Sequence, residues 1–127
     1  MSSRKPAIII AICWSVFLLA GASVPGDALR NVEVFTYDKL LHIAGFAVFA
    51  YLWLRCFPGQ LLKIGILGAA FGLFIEAYQH VMPIGRFFDL YDALADLAGL
   101  ALGTGIFLIA TNRKRRIQTD PPTNEQL

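Results

Sequence analysis

The chain has 127 residues, of which 57% are apolar and 16% are charged, and its formal net charge at pH 7 is +2. This length leaves room for one domain, and a soluble domain would carry about 25% charged residues. Low charge content and long apolar blocks therefore indicate a membrane protein, while the small net charge and the lack of a nucleic-acid-binding motif exclude a nucleic acid as the expected partner.

The first apolar block covers residues 7–24 and follows Arg4 and Lys5. At about 1.5 Å per residue, it is just long enough to cross a hydrocarbon core of about 30 Å. A cleaved signal peptide is the competing interpretation, with its cleavage site at Ala20-Gly21-Ala22. The retained helix is favoured because three more apolar blocks follow, and four spans place both basic chain ends on one side of the membrane.

The whole pattern predicts an all-α fold, a four-helix transmembrane bundle. Its predicted helices cover about residues 7–24, 40–57, 61–82 and 87–110. Pro58-Gly59 separates the second helix from the third. We expect one transmembrane domain over residues 1–116 and a disordered cytoplasmic tail over residues 117–127, which contain Pro121-Pro122 and polar residues.

The basic residues predict how the bundle is oriented. If the amino terminus is cytoplasmic, all 11 Lys and Arg residues except Arg30, Lys39 and Arg86 lie on the inner side. Because loops on the cytoplasmic side carry an excess of Lys and Arg, we expect both termini to be cytoplasmic. The expected location is the inner, or plasma, membrane.

Polar side chains recur at helical spacing near the outer ends of three predicted helices. They are Asp38, Lys39 and His42 in the second helix, Glu76, Gln79 and His80 in the third, and Asp89, Asp92 and Asp96 in the fourth. Residues three and four apart share one face, so each helix presents a polar stripe. Because a carboxylate at the centre of a membrane helix costs roughly 2.5–3.5 kcal/mol, we expect the stripes to face inward.

The order and spacing of these residues resemble the VanZ-like family of small bacterial membrane proteins. The matching pattern is Asp38-Lys39-x-x-His42-x-x-x-Phe46, Glu76-x-x-Gln79, Pro83, Arg86, Asp92, Asp96, Gly99 and Gly103. The family's namesake is associated with resistance to the glycopeptide antibiotic teicoplanin. The resemblance implies a role at the cell envelope but supplies no reaction. It also implies Asn where this chain has Asp96, so Asp96 adds a carboxylate to the site.

The favoured functional hypothesis is a binding module that holds a lipid head group or another amphiphile in an outward-facing polar pocket. Its predicted ligand-binding residues are Lys39, His42, Glu76, Gln79, Arg86, Asp92 and Asp96. Lys39 and Arg86 would contact anionic groups, and the tail would lie along the helices. The expected partners are membrane lipids or lipid-linked envelope molecules, without a cofactor, and the glycine patterns Gly68-x-x-x-Gly72 and Gly99-x-x-x-Gly103 also suggest a homodimer.

Other hypotheses stay open, and the sequence does not decide whether the protein is an enzyme. A membrane enzyme would act on a lipid-linked envelope substrate, with a divalent metal held by pairs four residues apart and His42 as a fifth ligand or general base. Those pairs are Glu76 with His80 and Asp92 with Asp96. An ion pathway is disfavoured because the inner halves of the helices are apolar. A purely structural protein would use the charged residues only as contacts between helices.

Overall fold

The computed structural model describes residues 4–24, 34–83, 85 and 88–120, with the backbone alone for residues 34–36. This part of the chain forms four α-helices and contains no strand. They are α1 (Arg4–Ala22), α2 (Val34–Cys56), α3 (Leu61–Val81) and α4 (Leu90–Thr119). Each is long and apolar enough to cross a membrane. The predicted all-α bundle of four transmembrane helices is thereby confirmed.

The helix ends differ from those expected from hydropathy. Helix α2 begins at Val34 rather than near residue 40, so Asp38 and Lys39 lie inside the helix. Helix α4 begins three residues later than expected because Asp89 caps it, with its side chain accepting a hydrogen bond from the Tyr91 amide at 2.8 Å. Helix α4 then continues to Thr119 instead of ending near residue 110. Residues 121–127 of the expected tail lie outside the described residues.

Contacts near the helix ends show that consecutive helices run in opposite directions. The carboxyl ends of α1 and α3 meet where Gln79 Nε2 donates to the Ala22 carbonyl at 3.1 Å. The amino ends of α2 and α4 meet where Lys39 Nζ lies 3.2 Å from Asp92 Oδ1. The Glu76 carboxylate accepts a hydrogen bond from the Asp89 amide, so both meetings occur at one end of the bundle. Arg4 and Thr119 are therefore both at the opposite end.

Glycines bring the backbones of α2 and α4 into direct contact. A Cβ atom on Gly99 would overlap the Ile43 carbonyl oxygen, and one on Gly103 would overlap the Ala47 carbonyl oxygen. Small residues permit such close approach in membrane helices. These glycines therefore serve a contact within the chain, and a homodimer would need a different surface.

Helix α1 packs on the outside of this pair. Only Ala11 and Ala22 of α1 are buried. Trp14 Nε1 donates to the Gly45 carbonyl at 2.9 Å, and Trp53 Nε1 donates to Ser15 Oγ at 3.2 Å. Helix α1 is thus held to α2 by a few specific hydrogen bonds rather than by extensive burial.

The described outer surface is rich in large apolar side chains, which suits contact with lipid. Leu41 and Leu67 are 68% and 66% exposed, and Phe17 and Ile109 are similarly open. In water such a surface would be a strong aggregation site, whereas in a bilayer it costs nothing to expose.

Candidate functional site

Titratable side chains from three helices converge at the end of the bundle where the amino ends of α2 and α4 meet. We call them the polar cluster, which consists of Asp38, Lys39 and His42 from α2, Glu76 from α3, and Asp89, Asp92 and Asp96 at the start of α4. Five carboxylates thus face one lysine and one histidine. The predicted inward orientation of the polar stripes is borne out for these residues.

Lys39 forms the more exposed side of the cluster. Its Nζ atom lies 3.3 Å from Asp89 Oδ2 and 3.2 Å from Asp92 Oδ1, and it sits 5.9 Å from the centre of the Tyr91 ring. Its side chain is 31% exposed. These contacts tie the beginning of α2 to the beginning of α4, and they place the lysine charge against two carboxylates.

His42 lies at the centre of the cluster, with carboxylates at both ring nitrogens. Its Nδ1 atom lies 2.7 Å from Asp96 Oδ1. Its Nε2 atom lies 4.0 Å from Asp38 Oδ1 and 4.0 Å from Asp92 Oδ2. Asp96 is therefore the direct partner of the histidine, at the position where the family resemblance implies Asn.

Glu76 and Asp96 are the deepest members, at 0% and 1% exposure. Glu76 Oε2 accepts a hydrogen bond from the Asp89 amide at 3.3 Å. Glu76 Oε1 and Asp96 Oδ2 are buried with no hydrogen-bond partner in the described part of the chain. Gly72 makes room for Asp96 Oδ2, because a Cβ on Gly72 would lie only 2.9 Å from that oxygen. Burying an acceptor oxygen without a partner is costly.

The remaining predicted site residues have separate positions. Gln79 is buried, but its amide is engaged with the Ala22 carbonyl of α1. His80 is exposed, and its Nδ1 accepts a hydrogen bond from the Phe88 amide at 3.4 Å. The Glu76–His80 pair expected for a metal is therefore not formed, because Glu76 faces into the bundle while His80 faces the connection to α4. Arg86 lies outside the described residues.

A groove of about 370 Å³ runs between α1 and α2 and reaches α3. We call it the α1–α2 groove. Its walls are mostly apolar, with Trp14, Leu18 and Phe46 among the lining residues, whereas Asp38 and His42 supply charge at its polar end. Sequence reasoning missed this groove, because its apolar lining has the same composition as a lipid-facing surface.

Four apolar helices around an internal polar cluster define a multi-pass membrane protein. Comparison with models of known protein families matches residues 7–111 to VanZ/LLP1. The chain belongs to the VanZ/LLP1 family, and the resemblance noted from its motifs is confirmed. The match includes almost all of α1. Comparisons with curated proteins and with solved structures found no match.

Proposed function

We propose that this VanZ/LLP1 protein binds a membrane amphiphile, with the head group at the polar cluster and the apolar chain in the α1–α2 groove. The observation that carries the proposal is the continuity of the two features, since Asp38 and His42 belong to both. A groove of this volume lies in the range of small-molecule sites, which are mostly apolar with a few orienting polar groups.

The charges of the cluster indicate which head group it suits. Five carboxylates face Lys39 and His42, and Lys39 is already ion-paired with Asp89 and Asp92. The described part of the site therefore favours a head group that carries an ammonium group or hydroxyl donors over a bare anion. A carboxylate accepts its strongest hydrogen bonds from charged donors, and more so where water is excluded. This revises the expectation that Lys39 contacts an anionic group.

The proposal includes a location. The distribution of basic residues supports a plasma-membrane protein with cytoplasmic termini, so that the polar cluster faces the outer leaflet. Head groups of outer-leaflet lipids and lipid-linked envelope molecules would then lie at its depth. Teicoplanin, with which the family's namesake is associated, is a lipidated candidate of the same kind.

Two glycines offer a matched test of the groove. A Cβ on Gly21 or on Gly105 would meet nothing within 4 Å, so a side chain can begin at either position without a clash at its first atom. Gly21 lines the groove and Gly105 does not. We expect Gly21→Trp to weaken amphiphile binding by at least about tenfold, or 1.4 kcal/mol, while Gly105→Trp binds as the parent does.

Native mass spectrometry of the full chain in detergent would measure this binding with phosphatidylethanolamine, phosphatidylglycerol and teicoplanin as probes. We expect the amine-bearing phosphatidylethanolamine to bind better than phosphatidylglycerol, and Asp38→Asn to reduce that preference. Equal binding by the parent, Gly21→Trp and Asp38→Asn would sink the proposal and leave the cluster as a contact between helices.

A further inference from the structure

The deep part of the polar cluster brings together one metal-ligating group from each of three helices. Suitable atoms of His42 from α2, Glu76 from α3 and Asp96 from α4 lie within 4.8 Å of one another. The two carboxylates are almost completely buried, at 0% and 1% exposure. Each has one oxygen without a hydrogen-bond partner among the described residues, namely Glu76 Oε1 and Asp96 Oδ2.

Among the described residues, no cation other than the His42 imidazole contacts the buried carboxylates of Glu76 and Asp96. Taking a carboxylate out of water costs several kcal/mol unless a partner compensates it. The ion pairs that Lys39 makes with described residues go to Asp89 and Asp92, nearer the surface. His42 contacts one oxygen of Asp96, which leaves the other oxygen and Glu76 Oε1 still facing the interior.

We propose that His42, Glu76 and Asp96 bind one divalent cation of the Mn²⁺ or Zn²⁺ type. Mixed imidazole and carboxylate donors suit these ions, whereas Ca²⁺ and Mg²⁺ prefer oxygen ligands alone. Three protein ligands are fewer than either ion requires, so at least one position stays open to water or to another ligand. The site does not depend on whether the α1–α2 groove holds an amphiphile.

The geometry around His42 fits a metal-bound imidazole. Without an ion, His42 Nδ1 and Asp96 Oδ1 share a hydrogen bond of 2.7 Å. An ion bound by both atoms would replace the shared proton and move them slightly apart, because neighbouring ligands about 2.1 Å from a six-coordinate ion are about 3 Å apart. With Nδ1 on the ion, the proton is on Nε2, which faces Asp38 and Asp92 at 4.0 Å. Metal-bound histidines usually donate this proton to a carboxylate, so a side-chain shift of about 1 Å would complete such a bond here.

A second set of groups, Asp38, His42 and Asp92, shares the histidine but fits an ion less well. Its carboxylate oxygens lie 4.0 Å from His42 Nε2, too far for neighbouring ligands of a small ion. The unpartnered buried oxygens belong to Glu76 and Asp96. The deep set is therefore the cation site.

Metal analysis of the full chain tests the proposal directly. The protein is purified in detergent, stripped with a chelator, titrated separately with Mn²⁺ and Zn²⁺, and followed by calorimetry and elemental analysis. We expect about one ion per chain, and binding weakened by at least about tenfold in Glu76→Gln and Asp96→Asn, because each removes a ligand charge. His80→Gln is the matched control, because His80 is exposed on the same helix and outside the site.

Thermal unfolding separates lost binding from lost folding. At equal ion concentration, the ion should raise the midpoint of Glu76→Gln clearly less than those of the parent and His80→Gln, with helical content by circular dichroism showing that each variant is folded. If Asp96→Asn does not fold, the isosteric Glu76→Gln decides alone. A parent that binds no ion, or a Glu76→Gln that binds it as tightly as the parent, overturns the proposal. Gly21→Trp should still bind the ion. Failure of the amphiphile proposal can therefore be distinguished from failure of the ion proposal.

Discussion

Helices α2 and α4 meet in two ways along one interface. Near the amino ends, His42 faces Asp96 and Lys39 faces Asp92 across the gap. Further along, Gly99 and Gly103 bring the α4 backbone onto the α2 backbone at Ile43 and Ala47. The half near the amino ends, which we call the polar half, is stabilised by charge compensation. The half around Gly99 and Gly103, which we call the glycine half, is stabilised by close packing of the two backbones. The close packing of the second half sets how deeply the carboxylates of the first half reach into the bundle.

The largest expected effect comes from breaking the polar half. His42→Leu leaves Asp96 buried without its partner, and removing one member of a buried pair costs about 3–5 kcal/mol. We expect that loss in unfolding measured in detergent with a chelator present, so that bound ions do not contribute. The exposed His80→Leu should be nearly neutral.

The double variant His42→Leu with Asp96→Leu sharpens this result. Replacing both members of a buried pair by apolar groups is often neutral, so the double variant should be more stable than His42→Leu alone. A single variant within about 1 kcal/mol of the parent, with no recovery in the double, would show that this pair does not hold the polar half together.

An intermediate effect is expected in the glycine half. Gly103→Ala places a methyl group against the Ala47 carbonyl and should destabilise the bundle by about 1–3 kcal/mol, the usual cost of overpacking. Gly105→Ala is the matched control, because its Cβ meets nothing within 4 Å, and Ala favours a helix more than Gly does. Equal unfolding midpoints for the two variants would contradict direct backbone contact.

The smallest effect is expected at helix α1, which is mostly exposed and is joined to α2 by single hydrogen bonds. Trp14→Phe removes the hydrogen bond to the Gly45 carbonyl, and such bonds between membrane helices contribute about 0.6 kcal/mol on average. Hydrogen exchange should become faster in α1 while the amides around Gly103 are unchanged. Faster exchange throughout α4 would show that α1 is integral to the core.

The lengths of the apolar blocks were sufficient to predict four helices, and residue spacing was sufficient to place His42, Glu76, Asp92 and Asp96 together. It did not separate Glu76 from His80, because residues four apart on a helix share a face only approximately and still differ by about 40° in direction and about 6 Å in height along the axis. Hydropathy also could not place the end of α4, since the helix continues through basic residues that no apolar block includes. The α1–α2 groove was not predictable, because whether an apolar side chain faces lipid or a cavity depends on packing between helices.

The length of α4 has a mechanical consequence. Its 30 residues extend about 45 Å, more than the roughly 30 Å of a hydrocarbon core. The projecting turns carry Arg113, Lys114, Arg115 and Arg116, and successive residues on a helix are about 100° apart. Four consecutive cations therefore surround the helix as a collar. Such a collar resists sliding of α4 along the membrane normal but permits rotation about its axis, so the rotational setting of Asp96 is left to Gly99 and Gly103.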